Sequence, residues 1–242
     1  MEEQSKQLIA EVLEKRKLIR EADLTWLTTP TKMGEVPHPS LTDVSPRFDF
    51  DKGTGCFQFM GRQALQTLKD HINNTTNRST VNILGTKFYG KSHIIAAYAA
   101  QRMQVCFKKE KGAIPLLFLP KLGDLAKLKP QYLKKAMLLT FAGDETLLPK
   151  IAELEEIDEL LNWLKPKIFD VAADQGNDIE EKQGKAEEDA RELMTQLMGI
   201  VSNHKRTIMT GYSANNEIIK IKFTKERTET DFEFYGGFDE EV

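Results

Sequence analysis

The residues best suited to chemistry are Gly85, Gly90, Lys91 and Ser92, which fit the spacing G-x-x-x-x-G-K-[ST]. A loop this tight wraps a phosphate with backbone N–H groups, and its glycines let the main chain approach without a Cβ in the way. An apolar strand, Val81–Leu84, precedes it, and an Ala-rich apolar helix, His93–Ala100, is expected after it. The helix N-terminus would add free N–H groups and partial positive charge. Lys91 is read as a solvent-accessible loop charge that reaches the β- and γ-phosphates, and the Ser92 hydroxyl as one ligand of Mg²⁺. Thr86 and Lys87 lie inside the loop. His93, next to Ser92, completes the set of nucleotide-contact positions, although its place on the helix suits packing better than ligation. The competing reading is a Gly-containing strand-to-helix turn with a surface lysine.

A second group follows later strands. Asp174 comes just after an apolar strand, where a carboxylate can hold the Mg²⁺ of a phosphoryl-transfer site. Its rival, Asp170 in IFDVAAD, lies inside the expected strand, and placement favours Asp174 as the Walker B residue. Gln175 stands next to it. Glutamine has no titratable group and can only orient a water by hydrogen bonding, so slow hydrolysis or a nucleotide switch fits better than rapid turnover. Lys91, Asp174 and Gln175 are the catalytic candidates; Ser92 and Asp174 are the metal candidates. Ser213 and Asn215, in GYSANN, are candidate sensors of the γ-phosphate, with an ordinary polar strand-end turn as the equal alternative. No His/Cys/Asp cluster has metal-ligand spacing, and no hydrolase triad is readable.

These positions need elements to hold them. Residues 4–22 predict an exposed amphipathic helix whose partner is unseen. Pro30, Gly34, Pro37, Pro39 and Pro46 predict an extended linker or strap over 28–47. A Gly61-Arg62 turn then leads into a helix over Gln63–Ile72. Strands are expected at Val81–Leu84, Ala113–Leu119, Lys167–Ala173, Thr207–Thr210 and Asp231–Tyr235. Helices are expected at Gln131–Phe141, Leu147–Leu154, Ile157–Leu164 and Asp178–His204. The predicted fold class is α/β: a P-loop NTPase with a five-stranded, mostly parallel sheet and flanking helices, plus an N-terminal helix and Pro-rich strap. Residues 1–46 form the helix and linker, and 47–242 the NTPase domain. The end at Val242, soon after the fifth strand, suggests truncation.

Composition narrows the classes. The chain has 242 residues, of which 40% are hydrophobic, enough for one sizeable core. No apolar run approaches the ~20 residues of a membrane span, and the charged N-terminus carries no signal-peptide core. A membrane partner is not expected. With Cys56 and Cys106 alone, a reducing compartment, cytoplasmic or nuclear, is the expectation, and the sequons at Asn73, Asn74 and Asn77 read as a polar loop. A net charge of −3 argues against broad binding to nucleic acid.

The segments FMGR (59–62), GTKFYGKSHI (85–94), ADQGN (173–177), SANNE (213–217) and YGGF (235–238) resemble the P-loop NTPase module of Crinkler-type proteins of fungi and oomycetes. That module is related to signal-transduction ATPases and retrotransposon-hot-spot proteins. The resemblance covers about residues 24–242, and YGKSHI and SANNE are its most specific parts. It implies ATP as the nucleotide, and Gly61 and Arg62 near the adenine, with a structural turn as the alternative. It also implies an effector or conflict protein acting in a host cell, often in the nucleus. Three departures stand out: no LFLAK-type header, Asp170 where the family strand is apolar, and the end at Val242. The other readings are a nucleotide-independent interaction protein that uses its N-terminal helix to bind a protein partner, and a small-molecule kinase, for which no lid or acceptor site is evident. The pattern leaves oligomeric assembly open.

Overall fold

The computed structural model describes residues 2–42, 44, 48–74, 80–85, 90–120, 129–174, 192–193, 195–197, 199–201, 208–213 and 231–233. In chain order they form α1 (Glu2–Glu21), a 3-10 turn (Thr25–Thr28), β1 (Met33–Pro37), β2 (Phe50–Asp51), β3 (Cys56–Met60), α2 (Gln63–Asn74), β4 (Thr80–Gly85) and α3 (Lys91–Phe107). There follow β5 (Leu116–Leu119), α4 (Lys129–Thr140), a second 3-10 turn (Glu145–Leu147), α5 (Leu148–Ala152), α6 (Ile157–Leu164), β6 (Asp170–Ala173), β7 (Ile208–Ser213) and β8 (Asp231–Glu233).

The apolar stripe of α1 finds its partner inside the chain. Val12 and Ile19 are fully buried, and Leu8, Ile9 and Leu13 pack against the same core. The helix lies against α3, α4 and α5. Polar contacts fix it there: the Gln104 carboxamide of α3 donates to Ile19 O at 2.9 Å and Ala22 O at 2.6 Å. Arg16 donates to Ala142 O and pairs with Glu145, both at 2.8 Å. The expected amphipathic helix keeps an exposed polar face, and the partner of its apolar face lies within the chain.

The Pro-rich segment is also more regular than its breakers suggest. β1, β3 and β2 form an antiparallel sheet in that spatial order, with Met33 opposite Met60, Pro37 opposite Cys56 and Phe50 opposite Phe57. Along β3, Phe57 and Phe59 are buried while Gln58 between them is exposed, the alternation of a sheet with one covered face. Proline is tolerated because β1 is an edge strand, where a missing N–H breaks no inner ladder. Gly34 is required for a different reason: a Cβ there would come within 2.5 Å of Trp26 Cζ2.

The remaining strands pair in parallel in the order β5-β6-β7-β4-β8. The pair β5/β6 is described down to its side chains, and all of its residues are buried, as strands covered on both faces must be. For β7 and β8 the backbone pairing alone is described. Ala96, Ala97, Ala99 and Ala100 of α3 have no exposed surface, and these small side chains let α3 lie close to β1, to β4–β7 and to α1 at once.

The expected architecture is corrected by these two sheets. A single sheet with an irregular strap is not the arrangement: the described strands make two sheets, and the strap supplies β1, an edge strand of a separate three-stranded antiparallel one. Sequence pattern missed it because Pro37 and Gly34 read as breakers when the sheet position of the strand is unknown. β5 and β6 are also shorter than expected. Pro115 has no N–H to offer, and its carbonyl instead accepts from Asp170 N at 2.9 Å, so the β5/β6 ladder begins at Leu116 and Asp170. Of the helix expected over 178–204, the described residues lie between 192 and 201; they are helical and bury Leu193, Leu197 and Val201.

Candidate functional site

The two ends of the phosphate-loop match are described. Gly85 is the last residue of β4 and pairs with Ser213, the last of β7. Gly90 caps α3 in the left-handed region, at φ 77° and ψ 18°, a conformation that favours glycine. Its carbonyl accepts the first helical bond, from Ile94 N at 3.0 Å. The N–H groups of Lys91, Ser92 and His93 therefore precede the first rung of the helix. No side chain caps this end, and its first turn carries no acidic residue. Thr86 and Lys87 lie outside the described residues.

Lys91 is corrected from a solvent-accessible loop charge to the first residue of α3, 9% exposed. The reason is the helix it begins: α3 is covered along most of its length, so the aliphatic stem of Lys91 packs as well. Ser92 and His93 are half-buried. The His93 ring lies 4.5 Å from that of Phe48 and 5.7 Å from that of Phe57. Burial, and then the positive charge of Arg62, hold its pKa below the usual histidine value.

Gly61 and Arg62 join β3 to α2 and reach the same loop. A Cβ on Gly61 would overlap Thr29 O and come within 2.8 Å of Trp26 O, so the 3-10 turn can sit directly on this glycine. Gly61 N donates to Lys32 O at 2.8 Å and Arg62 N to Leu27 O at 3.0 Å. The Arg62 guanidinium lies against Gly90: a Cβ built there would be 2.9 Å from Nη1, 3.2 Å from Nη2 and 3.3 Å from Cζ.

The two aspartates stand at opposite ends of β6. Asp170 opens the strand, rather than lying within it as expected, and pairs with Arg102 at 3.1 Å. Asp174 follows the strand, is 4% exposed, and extends the ladder through its N–H to Leu119 O at 3.0 Å. Because Ala173 pairs with Thr210, and Thr210 with Asn82, Asp174 lies level with Ile83, short of Gly85 on the same sheet. Gln175 and Asn215 are outside the described residues. Arg102 was not foreseen as the partner of Asp170; a lone arginine within an apolar helix is the signal that could have found it. Phe48 was missed likewise, and the alternating aromatics of Phe48 and Phe50 carried that signal.

Among the described residues no group of three or more His, Cys, Asp or Glu is arranged to hold a metal ion. The hydroxyl of Ser92 and the carboxylate of Asp174 are hard oxygen donors of the kind Mg²⁺ takes, and few protein ligands suffice for it. A cleft of about 560 Å³ lined by Asp158, Leu161, Asn162, Lys165 and Gln196 includes none of the phosphate-loop residues. No described helix is long and apolar enough to cross a membrane. Compared with known proteins, the chain matches no family model and no curated protein.

Proposed function

We propose that this chain binds a nucleoside triphosphate, ATP in the first place, with Mg²⁺ at the loop from Gly85 to Ser92, and hydrolyses it slowly. The observation that carries the reading is the coincidence of the loop pattern with its required setting: Gly85 ends a strand, Gly90 is left-handed, and Lys91 and Ser92 open a helix whose first N–H groups precede its hydrogen-bond ladder. Strand order supports it. The connection leaving β4 leads to β5, beyond β7 and β6, while the one leaving β7 leads to β8 on the other side of β4. Adjacent parallel strands whose connections depart in opposite directions open a crevice at their C-terminal ends. That crevice is where Gly85 and Ser213 lie side by side.

Within it, Lys91 supplies positive charge to the β- and γ-phosphates and the loop N–H groups hold the α- and β-phosphates. Mg²⁺ would be held by Ser92 and by waters, and would neutralise charge developing on the phosphoryl oxygens. Asp174, level with Ile83 and two strands across, is about 7 Å below Gly85 along the strands. From there its carboxylate would accept from water on the metal rather than ligate it. Ser213, and Asn215 beyond it, are proposed to contact the γ-phosphate. The Crinkler-type resemblance is part of the same reading, and with it an effector or conflict role in a host cell. The packing of α1 on α3 buries Val12 and Ile19 of the apolar stripe that a partner-binding helix would have offered.

The test is equilibrium binding of a fluorescent ATP analogue with Mg²⁺ to wild type and Lys91→Ala. Wild type is expected to bind in the micromolar range, and the folded variant to lose at least tenfold, since a charge-assisted contact to phosphate is worth ~1.5–3 kcal/mol. Equal affinity in both would end the reading.

A further inference from the structure

We infer that Arg62 is a phosphate-binding residue of this site, serving the α- and β-phosphates rather than the base; the inference rests on the proposed nucleotide site. Three placements carry it. The backbone on either side of the side chain is pinned: Gly61 N to Lys32 O, Arg62 N to Leu27 O, and Leu65 N to Arg62 O at 3.1 Å. Gly61 has no room for a Cβ, so the turn that presents Arg62 is fixed by the strap and the Thr25–Thr28 turn. From that fixed base the guanidinium reaches the residue that caps α3, with Nη1, Nη2 and Cζ all within 3.3 Å of the Cβ position on Gly90. Near-equal distances mean that the planar group lies across the glycine that caps the N-terminus of α3.

Geometry then separates the roles of the two cations. The loop N–H groups cradle the α- and β-phosphates, and the lysine reaches further out, to the β- and γ-phosphates. Arg62 lies at the glycine before that lysine and is close enough to His93 to depress its pKa. A planar fork of N–H donors at this point matches phosphate oxygens, and its fixed approach means little side-chain freedom is lost on binding. Gly90 is doubly constrained as a result: a side chain would strain its positive φ and would also displace the guanidinium. The consequence is that Arg62 should contribute equally to diphosphate and triphosphate, and equally to adenine and guanine nucleotides.

The experiment measures Kd for ATP, ADP, AMP, adenosine and GTP, at low and moderate salt, on wild type, Arg62→Ala and Arg62→Lys, with melting curves to verify folding. Arg62→Ala is expected to lose about tenfold on ATP, ADP and GTP alike, to change little on adenosine, and to show a shallower salt dependence than wild type. Arg62→Lys should recover part of the loss and restore the salt slope, because the charge returns without the fork. If Arg62→Ala fails to fold, Arg62→Gln replaces it with the same expectations. A loss that extends equally to adenosine, or that changes the ATP:GTP ratio, would place Arg62 at the base and overturn the inference while leaving the site standing. Undiminished ADP and ATP affinity would overturn it in the same way. Failure of wild type to bind any nucleotide would remove the site and this role together.

Discussion

At the scale of single residues, two buried aspartates, Asp170 at the start of β6 and Asp174 just after its end, have different surroundings and therefore different expected roles. Asp170 faces Arg102, which also donates to Tyr98 Oη at 3.4 Å and to Ile114 O at 3.5 Å, at the end of the strand away from the loop. Asp174 is at the other end, on the side of Gly85 and Ser213. Asp170→Asn should therefore lower stability by about 1–3 kcal/mol, the cost of removing the charge that faces a partly buried guanidinium, and leave the Mg²⁺ dependence of nucleotide binding unchanged. Asp174→Asn should weaken that dependence. Titrating Mg²⁺ against both variants, with urea melts alongside, distinguishes them; a larger change in Mg²⁺ dependence at Asp170 would reassign the metal-side carboxylate. The position of Asp174 just after the strand was readable from sequence because it rests only on where the apolar run stops. The Arg102 contact was not, since a pairing between residues far apart in the chain leaves no local pattern.

At the scale of elements, α3 is the helix on which the others depend. Its first turn follows Gly90 of the proposed phosphate loop, and three turns later Gln104 holds the end of α1. The Gln104 carboxamide, 8% exposed, donates to Ile19 O and Ala22 O and lies 3.4 Å from Arg20 O, carbonyls at a helix end that have no partner within α1. Replacing it with Ala should leave these buried acceptors unpaired and lower the unfolding free energy by ~1–3 kcal/mol, seen as a lower urea midpoint with an unchanged m-value. An unchanged midpoint would show that α1 is held by its apolar stripe alone. Elements such as α6 (Ile157–Leu164) were legible to the residue, because Glu156 and Glu159 form a capping box ahead of a strongly amphipathic turn. β1 and β2 were not legible. β2 spans Phe50–Asp51 alone, too short to show a period, and β1 ends on Pro37, whose tolerance depends on its edge position.

At the scale of the whole molecule, the proposed binding would require only the loop and the start of α3, but turnover would require the ends of β4, β6 and β7 to act together. The strand end at Gly85 and the helix start at Lys91 were legible because the pattern fixes residue type and spacing within eight positions. The assembly of the strand ends was only partly legible, because register between distant strands is set by packing. Gln175 belongs to this larger question: it follows Asp174 in sequence, where a carboxylate would be expected to act as base on the attacking water. A positioned general base contributes roughly 10²–10⁴-fold, so a glutamine there predicts that the chain binds ATP normally and hydrolyses it far below the ~10 s⁻¹ typical of enzymes. Gln175→Glu should raise steady-state phosphate release at saturating ATP and Mg²⁺ while leaving nucleotide affinity within a few-fold. Measuring both quantities separates chemistry from binding. If wild type turns over rapidly, or if the glutamate variant is slower, Gln175 already orients the water by hydrogen bonding, and the slow-hydrolysis reading fails even though the phosphate site remains.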